Sequence, residues 1–281
     1  MTDLLIHSMS EFSAIILGCL DKAGAREIVE VGAEFGGMSQ HLADHAVAAG
    51  GRLTSIDPSP KPQFLDWVAG APHVRHLAQA SLEAMPTLDH VDAWVIDGDH
   101  NYYTVSNELA IADRLSQRDG KPLLAFMHDV NWPCGRRDSY YAPARIPAGV
   151  RHPHSFDDGV VPGNKGLVPG GGFRGAGQFA FAAHEGGPAN GVLTAVEDFV
   201  AGARADGREL AFAFLPAVFG LGVVFAADAP WSGDVAAQLL PFHDNPLLAR
   251  MEENRLRNYC AVIDWQDRAA RVPASRLRIA A

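Results

Sequence analysis

The run Ile28-Val29-Glu30-Val31-Gly32-Ala33-Glu34-Phe35-Gly36-Gly37-Met38-Ser39 limits the fold more than any other stretch of the chain. Ile28, Val29 and Val31 suit a strand covered on both faces, as parallel sheets require. Gly32, Gly36 and Gly37 allow a tight turn and close approach of a ligand to the backbone. From Met38 the apolar spacing becomes helical, through Leu42, His45 and Ala46. Amides at that helix start face whatever lies over the strand's carboxyl end. A dinucleotide fingerprint wants G-x-G-x-x-G, whereas this turn reads G-x-x-x-G-G and lacks the glycine beside a pyrophosphate. An ordinary βα turn uses the same residues, so the run needs support from elsewhere in the chain.

That support comes from repetition. Arg52 to Ile56 reads as a second strand ending at Asp57, and Pro58 and Pro60 forbid its continuation. The distance from Gly32 to Asp57 is what a βαβ unit needs for an acid to meet a ribose. Val74 to Ala78 is a third strand, followed by Ser81, which either caps the next helix or reaches an adenine edge. Val91 to Asp97 and Pro122 to Met127 are the fourth and fifth, with a helix from Val105 between them. Strands alternating with helices in this way specify an open parallel sheet with helices on both faces. An N-terminal helix over 8–24, ended by Gly24, covers it.

Residues 131–190 break the rhythm. They are dense in Gly and Pro, yet Trp132, Tyr140, Tyr141, Phe156 and Phe173 argue for order. We read them as an ordered insertion, a lid over the carboxyl edge of the sheet. Beyond it come a helix from Val192, which Asn190 is placed to cap, and an antiparallel strand pair at 210–215 and 221–226. A polar helical tail occupies 244–281, with Leu247, Leu248, Met251 and Leu256 as a candidate homodimer contact. The 281 residues make one domain.

A net charge of -10 disfavours nucleic acid and anionic membranes as partners. No apolar run reaches the roughly 18 to 20 residues of a membrane span. Met1 to Leu5 lacks the pattern of a secretory signal. Cys19, Cys134 and Cys260 lie far apart, which points to a reducing, cytoplasmic setting.

Strand four ends Asp97-Gly98-Asp99-His100-Asn101-Tyr102 and strand five ends His128-Asp129. In an open α/β sheet, ligands bind beyond the strand ends at the switch point, so both clusters border the same crevice as Gly32. His128 titrates in the range of a general base at neutral pH, and His100 is its rival. Asp97, Asp129 and His100 are also a candidate divalent-metal set, able to lower the pKa of a bound hydroxyl.

The ordered series E-V-G-x-x-x-G-G, Asp57, I-D-G-D-H-x-Y and H-D resembles class I S-adenosylmethionine-dependent methyltransferases of the methyltransferase domain 24 type, the small-molecule branch. The runs R-R-D-x-Y-Y-A-P at 136–143, E-G-G-P-x-N-G-V-L-T-A-V-E-D-F at 185–199 and F-G-L-G at 219–222 resemble it too. The resemblance implies a Rossmann-like, doubly wound seven-stranded sheet, mostly parallel with an antiparallel last strand. It implies S-adenosylmethionine as donor, with Glu30, Gly32 and Gly36 beside its methionine end, Asp57 on its ribose, and Ser81 and Asp97 completing the cofactor set. Catechol-type enzymes place a metal between acids after strands four and five, where Asp97 and Asp129 stand, but valine follows Asp129 where they have a further Asp-Asn pair; transfer assisted by Mg2+ or another divalent cation and transfer without a metal both stay open. Arg136, Arg137, Tyr140 and Tyr141 are the candidates for touching a small-molecule acceptor, the arginines suiting a carboxylate or phosphate. The expected activity is methyl transfer to a hydroxyl or amine. The rivals are a metal-dependent hydrolase built on the same His/Asp cluster and a noncatalytic nucleoside-binding module.

Overall fold

Five short apolar strands come first: β1 (Glu27–Val31), β2 (Arg52–Ile56), β3 (Val74–Leu77), β4 (Ala93–Ile96) and β5 (Leu124–His128). All of β4 and β5 is buried, as expected of strands covered on both faces. The structure is a computed structural model that describes residues 5–270. The helices between the strands are α1 (Ser13–Ala23), α2 (Gly37–Ala48), α3 (Pro62–Val68), α4 (Ser81–Ala84) and α5 (Tyr102–Asp119). Left-handed Gly24 and Gly120 end α1 and α5, and each donates its amide back into the last turn.

Next comes the insertion, with β6 (Ser139–Tyr140), β7 (His154–Ser155) and β8 (Ala180–Ala182) in a small antiparallel sheet ordered β6-β8-β7. Helix α6 (Val192–Ala205) follows, then β9 (Leu210–Leu215), β10 (Leu221–Ala226), α7 (Ser232–Leu239) and the long α8 (Pro246–Ala270). The main sheet has seven strands in the order β3-β2-β1-β4-β5-β10-β9. It is parallel from β3 to β5, and β10 runs antiparallel to both neighbours. The order reverses between β1 and β4, so the switch point falls where the glycine turn meets Asp97.

One core lies on each face. Val29, Val31, Trp94 and Met127 pack toward α5 and α6. Ile28, Val95, Phe126 and Val223 pack toward α1, α2 and α7. The alternation along β1 explains why Glu30 points to the same side as Ile28. No described helix is long and apolar enough to cross a membrane.

Two expectations change. Asn190 does not cap α6, because Gly191 is the N-cap. The buried Asn190 side chain instead accepts from the Asp138 amide at 2.8 Å and donates to the carbonyls of His184 and Gly186. The tail is helical through Ala270, but Leu256 is buried against Leu5 and Phe219 and so is not free for a partner. The start of the chain through Leu4, and the tail after Ala270, lie outside the described residues.

Candidate active site

Gly32 takes φ +89 directly after β1, and a Cβ there would overlap the Asp97 carbonyl. This is the position where only glycine lets the end of β1 and the end of β4 lie against each other. Asp57, at the tip of β2, closes the turn. Its Oδ2 accepts from the amides of Ala33 (3.0 Å) and Glu34 (3.1 Å), and its Oδ1 accepts from Ser59 (2.8 Å). Gly36 sits at φ +85 as the N-cap of α2.

Beyond β4 and β5 four side chains meet. His100 Nε2 lies 3.3 Å from Asp97 Oδ1 and 3.2 Å from Asp129 Oδ2. His128 Nδ1 lies 3.1 Å from Asp97 Oδ1 and 3.4 Å from Asp129 Oδ2. The charges therefore alternate around a ring. Asp129 reaches it from a left-handed backbone (φ 60). Asn101 caps α5 by accepting from the Thr104 amide, and the Asp99 carboxylate accepts from Asn101 and Thr104, so the 97–101 turn is held rigidly.

The ring sets the protonation states. Burial opposes a charge on His128, but Asp97 and Asp129 outweigh it and push its pKa up to about 9. His100 rises well above its ordinary value for the same reason, with Asp129 the main counter-charge against burial. Burial would raise Asp97, yet the two imidazoles hold it well below the usual carboxylate range. His128 Nε2 also meets the Val218 carbonyl at 2.9 Å. Both of its nitrogens are thus engaged and its side chain is only 1% exposed, against 14% for His100. Of the two imidazoles expected as candidate bases, His128 is the more enclosed. It is held from both sides, and His100 is the imidazole nearer the opening.

Three residues that the sequence did not single out complete the site. Val218 supplies the carbonyl to His128 from a left-handed backbone (φ 49), followed by Phe219 at φ 62. Phe12 sets its ring edge-on to His128 at 5.9 Å, and the buried Cys134 thiol, pushed up to about 11 by burial and Asp129, borders His100. The F-G-L-G run was the available signal for the first, because it opens on the strained Val218-Phe219 turn.

Other candidates lie elsewhere. Glu30 is buried, with Oε2 accepting from Ser39 (2.7 Å) and Ser55 (2.6 Å), so it braces α2 and β2 beneath the turn and does not line an open face. Burial pushes its pKa up to about 7. Ser81 is the first residue of four-residue α4, preceded by the N-cap Ala80. Arg136 is paired with Glu197 of α6 (2.6 and 2.7 Å). Arg137 is fully buried and donates to the carbonyls of Ala182 (2.6 Å) and Lys165 (2.9 Å). Tyr140 is fully buried and donates to Asp138. Arg137 and Tyr140 thus pin the insertion in place from its interior, whereas Arg136 keeps an exposed side chain beside its pair with Glu197. Tyr141 is different: 52% exposed, its ring stands edge-on to His100 at 5.8 Å and to Phe179 at 5.9 Å.

Asp97, His100 and Asp129 bring three ligand atoms within 4.8 Å of one another, a spacing that suits one cation. A cavity of about 140 Å³ lies at the opposite, amino edge of the strands, lined by Glu27, Arg52 and Arg75, and is too small for a nucleoside.

Residues 29–130, from β1 to just past Asp129, match a family model described as a methyltransferase domain, type 24. The match spans 102 of the 281 residues. The fold is an open, Rossmann-like α/β sheet, and the glycine turn, Asp57 and the His/Asp ring all sit at its switch-point edge. An O-methyltransferase from Bacillus cereus, solved in complex with SAH, is similar at 15% identity over 79% of this chain and 84% of that one, with a TM-score of 0.48. The SAH-bound methyltransferase PaMTH1 of Podospora anserina is similar at 14% identity over 75% of this chain and 76% of that one, with a TM-score of 0.43. A fibrillarin/Nop5p complex matches at 17% identity with a TM-score of 0.30. There the similarity covers 38% of this chain and 52% of that chain, about half its length. No curated protein matches the sequence.

Proposed function

We propose that this methyltransferase domain transfers the methyl group of S-adenosylmethionine to a hydroxyl, or an amine, of a small metabolite. The observation that carries the reading is the shared edge: the Gly32 turn and the Asp97–His100–Asp129 cluster meet backbone to backbone at the switch point. Asp57 fits the donor's ribose chemically, since Oδ1 accepts from the Ser59 amide and keeps a lone pair for a hydroxyl. The donor supplies an electrophilic methyl carbon on a sulfonium when bound.

What remains for the protein is alignment and one proton. His100, the less buried imidazole, would take the acceptor's proton only in its neutral form, which its two carboxylate neighbours disfavour, while His128, tied to Val218, holds those carboxylates in register. Tyr141 stands at the rim beside His100 and is the acceptor contact, a role that burial denies to Arg137 and Tyr140. The Asp97, His100 and Asp129 set also fits a divalent cation, which would lower the pKa of an acceptor hydroxyl. Two carboxylates balanced by two imidazolium groups carry the same compensation that one such ion provides with both imidazoles neutral. Metal binding at neutral pH therefore releases protons.

Calorimetry with S-adenosylhomocysteine tests the donor. Binding is expected, and Asp57→Ala weakens it by about tenfold or more through loss of a charged hydrogen bond. No heat and no competition with labelled donor would reject the reading. The hydrolase alternative rests on the same three-ligand set and predicts metal binding with no affinity for the donor.

A further inference from the structure

Glu34 sits in a backbone conformation that its own side chain does not need. It lies in the glycine turn at φ 45, in the left-handed region where a long side chain is strained. The turn fixes it from both sides. Its amide donates to Asp57 Oδ2 at 3.1 Å, and its carbonyl accepts from the Lys61 amide at 2.8 Å. Both bonds use backbone alone, so glycine would make the same turn without the strain. Strain that the local structure does not require points to a function for the side chain.

The residue is seated between the acids that end β2 and β4. Gly32, two positions earlier, abuts the Asp97 carbonyl, and the Glu34 amide itself rests on Asp57. Partial burial raises the Glu34 pKa, His7 and Lys61 oppose that, and Asp97 and Asp57 add to it. Its acidic neighbours are already compensated: Asp97 by two imidazoles, Asp57 by three backbone amides. Among the described residues no hydrogen bond or ion pair holds the Glu34 carboxylate. The Lys61 ammonium stands over the Phe35 ring instead, 5.7 Å from its centroid. Glu34 is exposed, so a ligand can reach it. This edge therefore favours a cation and repels a diphosphate.

We infer that Glu34 reads the charge on the donor's sulfur, favouring the sulfonium over the neutral thioether that methyl transfer leaves. This rests on the donor reading proposed above. Transfer breaks the carbon–sulfur bond with its electron pair left on sulfur, so the product loses one positive charge and keeps its nucleoside and amino-acid parts. Contacts to those shared parts, such as Asp57 to a ribose, hold donor and product alike. A carboxylate in the turn separates them, and the spent product gives way to fresh donor. Across the few ångströms of one turn, a unit charge near the surface shifts an equilibrium about tenfold.

Calorimetry on the full chain at pH 8 tests it with three ligands: S-adenosylmethionine, neutral-sulfur S-adenosylhomocysteine, and sinefungin, which carries an ammonium in place of the sulfonium. Glu34→Gln is expected to cut the preference for each cationic ligand over S-adenosylhomocysteine at least fivefold, while its affinity for S-adenosylhomocysteine changes less than twofold. Glu34→Asp is expected to keep part of the preference. Raising the salt is expected to narrow the wild-type preference and to leave that of Glu34→Gln unchanged. Glu34→Asn, which tolerates the left-handed backbone, is expected to lose the preference with an equal or higher melting temperature, a combination that a purely structural role would not give. An unchanged preference in Glu34→Gln overturns the inference and leaves the donor reading intact. Equal weakening of all three ligands also overturns it, making Glu34 a part of the turn only. Wild-type protein that binds none of the three rejects the donor reading itself, and the role of Glu34 falls with it.

Discussion

Glu30 shows how a single residue can keep its place in a motif and change its task. Its carboxyl is buried beneath the glycine turn and satisfied on one oxygen only, by Ser39 and Ser55, while Oε1 has no protein partner. Burial raises its pKa from the ordinary 4.5 to about 7. A raised acid binds its proton more tightly folded than unfolded, so its contribution is complete below about pH 4.5 and lost as the pH rises to 7. Chemical denaturation across that window is expected to show stability falling by about 3 kcal/mol from this group, with Glu30→Gln flattening the slope. An unchanged slope in Glu30→Gln would mean that the carboxyl is ionised in the fold. Gly32 makes a harder prediction. With φ +89 and the Asp97 backbone in the way of any Cβ, Gly32→Ala is expected to cost at least about 2 kcal/mol and to disturb both strand ends, read by thermal melting.

At the scale of elements, the insertion is tied down by charges that look, in the sequence, like ligand contacts. Arg137 donates to carbonyls on β8 and on the 164–166 turn. Asp138 accepts from the amides of Tyr102 and Gly191, joining the starts of α5 and α6. Arg137→Ala strands several buried carbonyls and is expected to cost roughly 3 kcal/mol, visible as faster proteolysis within 131–190 before global unfolding. If cleavage there keeps the wild-type rate, the clamp is dispensable. Arg136→Ala, which loses only a half-exposed pair with Glu197, serves as the control and is expected to change stability by less than about 1 kcal/mol.

For the whole molecule the question is how the two halves of the site are brought to one edge. The strand order reverses between β1 and β4, and the insertion, the β9–β10 turn and α8 then close over the ends of β4 and β5. A metal held at Asp97, His100 and Asp129 would stabilise the fold by mass action. Adding Mn2+ or Mg2+ to chelator-treated protein is expected to raise the melting temperature, and His100→Ala is expected to abolish that rise. Equal melting temperatures with and without metal would leave the ring as a purely protonic device.

The sequence by itself determined the strands, because buried parallel strands are short apolar runs bounded by glycine, proline or acid. The 210–215 and 221–226 pair was legible to the residue, and so was the meeting of Asp97, His100, His128 and Asp129, since strand ends at a switch point have nowhere else to go. Only the tertiary structure decided which way each side chain faces. Glu30 turns inward because β1 alternates between two cores. Arg137 turns inward to carbonyls of the insertion and Tyr140 to the Asp138 carboxylate and the His152 amide, and His128 loses its freedom to a carbonyl ninety residues away in sequence. Periodicity is a local signal, whereas hydrogen-bond partners across such distances are settled only when the chain has packed.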